Sequence, residues 1–178
     1  MRTDPEDPES VQRLAPTAAE QRAYLKEFIT FRRSHPEDDL ISKLEVAEID
    51  GERLNDEEVT TFSSLLLLAG HITTSVLLGN IFLCLDGRPG LLKVLREDRS
   101  RITGCIEETL RLRPPFTKIE RVAVTDTEIA GERFAGGTHL HLWLLSANRD
   151  PRAFDEPGQF WLERGSSRHL AFGRGIHY

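Results

Sequence analysis

Between Val59 and Leu85 the chain carries no Asp, Glu, Lys or Arg. That single run, VTTFSSLLLLAGHITTSVLLGNIFLCL, constrains the fold more than any other feature, because so much apolar side chain must be placed somewhere. Asn55 stands where an N-cap belongs, and Glu58 three residues later is placed to reach back and complete a capping box. The spacing predicts a helix from there to about Leu85, on the order of 45 Å long at ~1.5 Å per residue. Such a length suffices to cross a bilayer. Against a membrane span stand Ser63, Ser64, His71, Thr73, Thr74, Ser75 and Asn80 within the run, and acidic rather than asymmetrically basic flanks. The expectation is a rod buried on most of its faces, the spine of a larger fold, with no membrane partner.

Helical spacing continues on both sides. Thr17 to Arg33 carries Ala18, Leu25, Phe28 and Ile29 in register and stops at Ser34-His-Pro. A shorter helix is expected from about Glu37 to Glu48, with IDGERL as the turn that follows. Beyond the rod, Asp86-Gly-Arg-Pro-Gly breaks the pattern; Leu91 to Glu97 and Ser100 to Leu112 read as two more helices, closed by Pro114-Pro115. After Thr117 the texture changes to IERVAVTDTEIAGERFAGGTHLHLWLL, whose short alternating runs with glycines at the turns predict a small antiparallel sheet. The remainder, rich in turn formers with scattered aromatics, reads as an ordered meander. The expected fold class is therefore mainly α with a small antiparallel β-sheet (α+β), built on one long central helix. Residues 1–16, opening MRTDPEDPES, are expected as a tail or linker, and 17–178 as one domain: helical over 17–113, sheet over 117–146, meander over 147–178.

Charge narrows the partners. A net charge of −6, with acidic runs DPEDPE, PEDD and NDEE and no basic stripe to outweigh them, argues against nucleic acid. Two cysteines, Cys84 and Cys105, make neither a disulfide framework nor a redox pair, so a reducing compartment is expected and both read as core thiols. An acidic, proline-containing stretch follows Met1 where a signal peptide would need an apolar segment, which makes cytoplasmic the expected location.

Three constellations offer chemistry. In AGHITT, Ala69 and Gly70 remove bulk from one helical turn, and the hydroxyl of Thr73 is spaced to bond back to the Ala69 carbonyl and bend or open the helix; a tight helix crossing would use the same residues. In EETLR, Glu108 and Arg111 lie three apart and share a helical face. Exposed, they are an ordinary ion pair; buried, Arg111 can use its planar fork to hold backbone of the meander. In THLHLW, His139 and His141 would project to one side of a strand, but no third ligand stands at a recognisable spacing, so they read as strand-surface residues. The strip HLAFGRGIHY, with glycines at Gly173 and Gly175, has a backbone suited to lying close against something bulky.

Taken in order, AGHITT, EETLR, SANRDPRAFDEPGQF and HLAFGRGIHY resemble the haem-thiolate monooxygenases, the cytochrome P-450 family, in their soluble bacterial form. The family's closing motif, Phe-Gly-x-Gly-x-His-x-Cys, is matched by Phe172, Gly173, Gly175 and His177 up to Tyr178. The resemblance implies haem b as cofactor, a small organic substrate, a ferredoxin or reductase as electron donor, and insertion of one oxygen atom from dioxygen. It implies that Gly173 and Gly175 let the backbone pass close to the porphyrin, that Phe172 packs near the metal-binding sulfur, and that Arg121, His169 and His177 contact propionates. It further implies that Thr73 helps deliver protons beside the Ala69-Gly70 notch, although Ile72 occupies the position of the family's usual acid. Glu108 and Arg111 look like the family's Glu-x-x-Arg pair, with Gln159 at the third position; Pro115, Phe116, Thr117 and Phe62 to Leu66 fall where the family lines its substrate pocket. The iron-binding cysteine would follow Tyr178, so no metal ligand is expected within the chain and it is expected to be inactive alone. The alternative is a non-catalytic helical scaffold or a degenerate gene product.

Overall fold

A computed structural model describes residues 8–164 and 168–175. Two compact units are present, Met1–His71 and Ile72–Tyr178.

The first unit holds α1 (Pro8–Ser34), α2 (Leu40–Val46), a hairpin of β1 (Glu48–Ile49) and β2 (Glu52–Arg53), and the start of α3 (Asp56–Leu85). Part of the expected tail is helical: α1 begins at Pro8, nine positions before Thr17. Proline suits a first helical position, where its missing N–H would have no partner. Pro16, inside the helix, removes one interior bond without ending it. The second helix is shorter than expected, running only from Leu40 to Val46. It starts late because Asp39 caps it, accepting the Ser42 N–H at 2.8 Å, and it stops early because Glu48 enters β1. Asp50 and Gly51 both take positive φ, the geometry a two-residue hairpin loop requires. Leu25, Ile29 and Val59 form the buried core here, with Ile41, Leu44 and Leu54 packed against them. Arg32 bridges α1 to Glu37 and Asp39, and Arg33 reaches Glu45 and Asp56.

The capping box at the head of α3 forms as the sequence predicts. Asn55 Oδ1 accepts the N–H groups of Glu57 and Glu58 at 3.0 Å each, and Glu58 returns the bond to the Asn55 N–H at 2.8 Å. The helix runs unbroken through AGHITT to Leu85. Its expected burial does not hold. Leu65, Leu67, Leu68, Ile72, Val76, Leu78, Phe82 and Leu83 are exposed, from 41% at Val76 to 71% at Phe82. A helix buries only the faces that other elements meet, and among the described residues these side chains are left largely open. Asp56–Leu85 is long and apolar enough to cross a membrane by length and composition, a test that core helices of soluble proteins also pass.

The second unit begins with the rest of α3 and continues with α4 (Pro89–Glu97), a 3-10 turn (Arg99–Arg101), α5 (Ile102–Leu112), strands β3 (Ile119–Val122), β4 (Thr127–Ile129), β5 (Glu132–Phe134) and β6 (His139–Leu142), and the one-turn α6 (Leu144–Ala147). The strands make two antiparallel ladders. β3 pairs with β6, Arg121 opposite Leu140, and β4 pairs with β5 across Ala130-Gly131, again with positive φ at both turn positions. Cys84, Leu95, Cys105, Leu112, Phe160 and Leu162 form the core, so α3, α4, α5 and the meander converge there. Gly104 is what lets the meander come so near α5, since a Cβ on it would stand 3.1 Å from the Leu162 carbonyl oxygen.

Candidate cofactor site

The second unit contains a buried charge network centred on α5. Both faces of the Glu108–Arg111 pair are used: Arg111 Nε and Nη2 each donate to a Glu108 carboxylate oxygen at 2.8 Å, with the arginine 0% and the glutamate 2% exposed. The rest of the guanidinium is spent on backbone, donating to the carbonyls of Asn148, Pro157 and Gln159 at 2.8–2.9 Å. Such bidentate, charge-assisted bonds fix geometry as well as charge. Glu108 in turn accepts the Trp161 N–H at 3.0 Å and Arg164 Nε at 3.0 and 3.1 Å. Burial alone would push the Glu108 carboxyl up; Arg111, the Trp161 N–H and Arg164 together hold it below the ordinary carboxylate value. The third position expected at Gln159 contributes its carbonyl oxygen, while the third charge is Arg164.

From this anchor a second chain of bonds leads to the glycine strip. Asn148 is fully buried; its carbonyl holds Arg111, and its Oδ1 accepts the Leu170 N–H at 2.7 Å. His169, 5% exposed, has Nε2 3.1 Å from Glu107 Oε2 and Nδ1 3.2 Å from the Ala171 nitrogen. Beyond these ties the strip turns, the Gly173 N–H donating to the Leu170 carbonyl at 2.9 Å, and both Gly173 and Gly175 take positive φ. Side chains there would be strained, which is the reason for glycine.

The strip forms one wall of a cleft of about 510 Å³, faced by Phe116, Ile119, Arg121, Leu144, Phe172 and Arg174. Strand periodicity explains why Ile119 and Arg121 enter together while Glu120 does not. An adjoining lobe of about 460 Å³ shares Ile119, Arg121, Leu144, Gly173 and Arg174 and extends toward His141 and Trp143. Arg121 Nη1 rests on the Glu120 carbonyl at 2.8 Å. The volume is in the range of small-molecule and cofactor pockets, roughly 300–1,000 Å³. Apolar walls, a cationic edge, and two glycines whose Cβ positions meet nothing within 4 Å suit a flat, apolar group with an anionic rim.

The cysteines lie elsewhere. Cys84 and Cys105 are each 2% exposed in the α3–α5 core, and burial pushes both thiols up, away from the thiolate form. Of the other residues read from the sequence, Ala69 and Gly70 are exposed on α3, Thr73 is half-buried, and His139 and His141 stand exposed on β6 with His141 Nδ1 3.2 Å from Glu120. His177 lies outside the described residues. Among the described residues no cluster of His, Cys, Asp and Glu has the makings of a metal site. Sequence reasoning missed Arg164, Asn148 and Glu107. Nothing in their local sequence marks them, since each matters through a partner at least 22 residues away.

The long helix, the buried Glu-x-x-Arg network and the glycine strip beside a cationic cleft stand together with a family-level match: the cytochrome P450 family model matches residues 6–177. The chain belongs to the cytochrome P450 family. It is similar to the erythromycin C-12 hydroxylase of Saccharopolyspora erythraea, 46% identical over 98% of this chain and 45% of that protein, and to the cyclomarin C epoxidase CymV of Salinispora arenicola, 45% identical over 94% of this chain and 42% of that one. Solved structures agree: the open cytochrome P450 EryK of S. erythraea superposes with a TM-score of 0.88 at 46% identity, covering 98% of this chain and 45% of that chain. The ligand-free cytochrome P450 TbtJ1 superposes with a TM-score of 0.86 at 47% identity, covering 96% and 46%. This chain thus spans less than half the length of the relatives it matches.

Proposed function

We propose that this chain supplies the haem-loop half of a haem-dependent monooxygenase, acting on a small organic substrate with electrons from a ferredoxin or reductase. The observation that carries the reading is the cleft, in which Arg121 edges an apolar slot floored by two glycines of positive φ. Its residues would hold haem b by the edge and the face: Arg121 pairs with a propionate, Phe172 packs on the ring, and Gly173 and Gly175 permit close approach of the backbone. When bound, haem supplies the dioxygen chemistry by which one oxygen atom enters a C–H or C=C bond, the two outcomes named by the hydroxylase and epoxidase relatives. The hydroxyl of Thr73 holds a proton for that chemistry, and since Ile72 beside it carries none, water or a substrate hydroxyl completes the route.

With its two cysteines in the core, the chain alone lacks the thiolate and is expected to be inactive. Titrating it with haem should give weak binding, weakened further by Arg121→Ala and unchanged by Cys84→Ser. The reduced carbon monoxide complex should show no thiolate-type absorption. Binding that ignores Arg121→Ala would overturn the cleft assignment, and a thiolate spectrum from this chain would overturn the exclusion of Cys84 and Cys105.

A further inference from the structure

We propose that His169 is a positioning residue, a clasp that sets the glycine strip on α5, rather than a residue that touches the cofactor edge; the inference rests on the haem reading of the cleft. The sequence resemblance put His169 on a propionate, yet neither ring nitrogen is available for one. The Ala171 N–H can only donate, so Nδ1 must accept and Nε2 must carry the ring proton, from which it donates a hydrogen bond to the Glu107 carboxylate. That fixes one tautomer. Protonating Nδ1 would set two N–H groups against each other at 3.2 Å.

Placement supports the same role. His169 is 5% exposed and does not line the cleft, whereas Ala171, Phe172, Gly173 and Gly175 do. Its ring lies 6.0 Å from that of Phe172, tilted by 52°, so it also backs the aromatic wall. Three successive residues are thereby tied where the strip enters the cleft wall: His169 by its side chain to Glu107, Leu170 by its N–H to Asn148, and Ala171 by its N–H to His169. Two of those ties end on His169. The third ends on Asn148, which Arg111 already holds, so the histidine is the strip's attachment to α5 that does not pass through the Glu108–Arg111 network. The clasp determines where Phe172 and Gly173 stand, and through them how closely a flat ring can approach.

The test uses the chain as it stands and separates the two nitrogens. Nitrogen-resolved NMR of labelled histidine should show His169 protonated at Nε2 and bare at Nδ1. Amide exchange at Ala171 should quicken about five- to tenfold in His169→Phe, the loss of one net hydrogen bond. His169→Asn places an acceptor where Nδ1 was and should restore slow exchange at Ala171; His169→Gln, which keeps a donor toward Glu107, should not. Glu107→Gln keeps an acceptor and should be silent, and Glu107→Ala should loosen the strip. Arg121→Ala is expected to weaken haem binding and leave Ala171 exchange alone, and its circular dichroism should match that of the parent. Unchanged Ala171 exchange in His169→Phe overturns the proposal, as does a loss of haem affinity in that variant without a change in exchange, which would restore the propionate contact. Should the parent bind no haem while the exchange pattern holds, the haem reading fails and the clasp survives as the strip's anchor.

Discussion

Arg111→Ala should remove much of the stability of the Ile72–Tyr178 unit. The guanidinium makes five hydrogen bonds, two to Glu108 and one each to the carbonyls of Asn148, Pro157 and Gln159, and none of the arginine is exposed. Removing one member of a buried pair costs about 3–5 kcal/mol. Glu108 keeps Arg164 and the Trp161 N–H, which draws the figure toward the lower end. The stranded Asn148 carbonyl adds about 1 kcal/mol, while Pro157 and Gln159 lie where water can replace the lost donor. The sum is about 4 kcal/mol, against a whole-domain stability of about 5–15 kcal/mol. At about 2–4 °C per kcal/mol for a chain of this size, the melting midpoint should fall by about 8–16 °C. Urea unfolding followed by far-UV circular dichroism and by tryptophan fluorescence measures it, Trp161 being bonded to the network itself. Arg111→Lys, a point charge without the fork, should fall between parent and alanine. A loss under about 1 kcal/mol, the ceiling for exposed pairs, would refute the reasoning and mean the pair is solvated.

Three further outcomes are expected. Because the Glu108 carboxyl is held below its ordinary value of 4.5, its contribution is complete above that pH and is lost as pH falls through the depressed value, so stability should drop in acid and Glu108→Gln should flatten that limb in a pH series of melts. Asp150, held down to about 2 by the Arg152 side chain and N–H, adds a limb of the same sign between its ordinary 3.8 and about 2. Asn55→Ala removes both acceptor bonds of the α3 cap and should cost about 1 kcal/mol in urea unfolding of the Met1–His71 unit. The apolar stripe from Leu65 to Leu83 should bind an apolar dye and drive self-association on gel filtration; a dye-silent monomer would mean that the stripe is covered in solution.

What the sequence discloses is set by the range of the interaction. Asn55, Glu58 and the Asp86-Gly break are local, so both ends of α3 are legible; the Glu108–Arg111 pair is one helical turn apart, so its shared face is too. Arg164 is not, because its bonds run to Glu108 and to the carbonyls of Asp155, Glu156 and Gln159, and a carbonyl belongs to every residue type. Asp50-Gly51 reads as a turn, while the strands it joins are two residues each and have no period to detect. The uncharged α3 run announces a helix but not its surroundings, which depend on what packs against it. The motif around His169 is legible in the sequence, while its contact with Glu107, 62 positions earlier, is not.

The network around Glu108 also sets an order in time. The ribosome adds roughly 5–20 residues per second, so the Arg164 side chain that completes the Glu108 shell, 56 positions downstream, follows it by about 3–11 s. Throughout that interval α5 can form its local pair with Arg111, but the carboxylate has no low-energy place away from water. Burying α5 before the meander arrives would be opposed electrostatically, because the Glu108 carboxylate would then be incompletely paired. The same acid that fastens the finished unit therefore favours burial of α5 only once residues 148–164 have emerged to close the core.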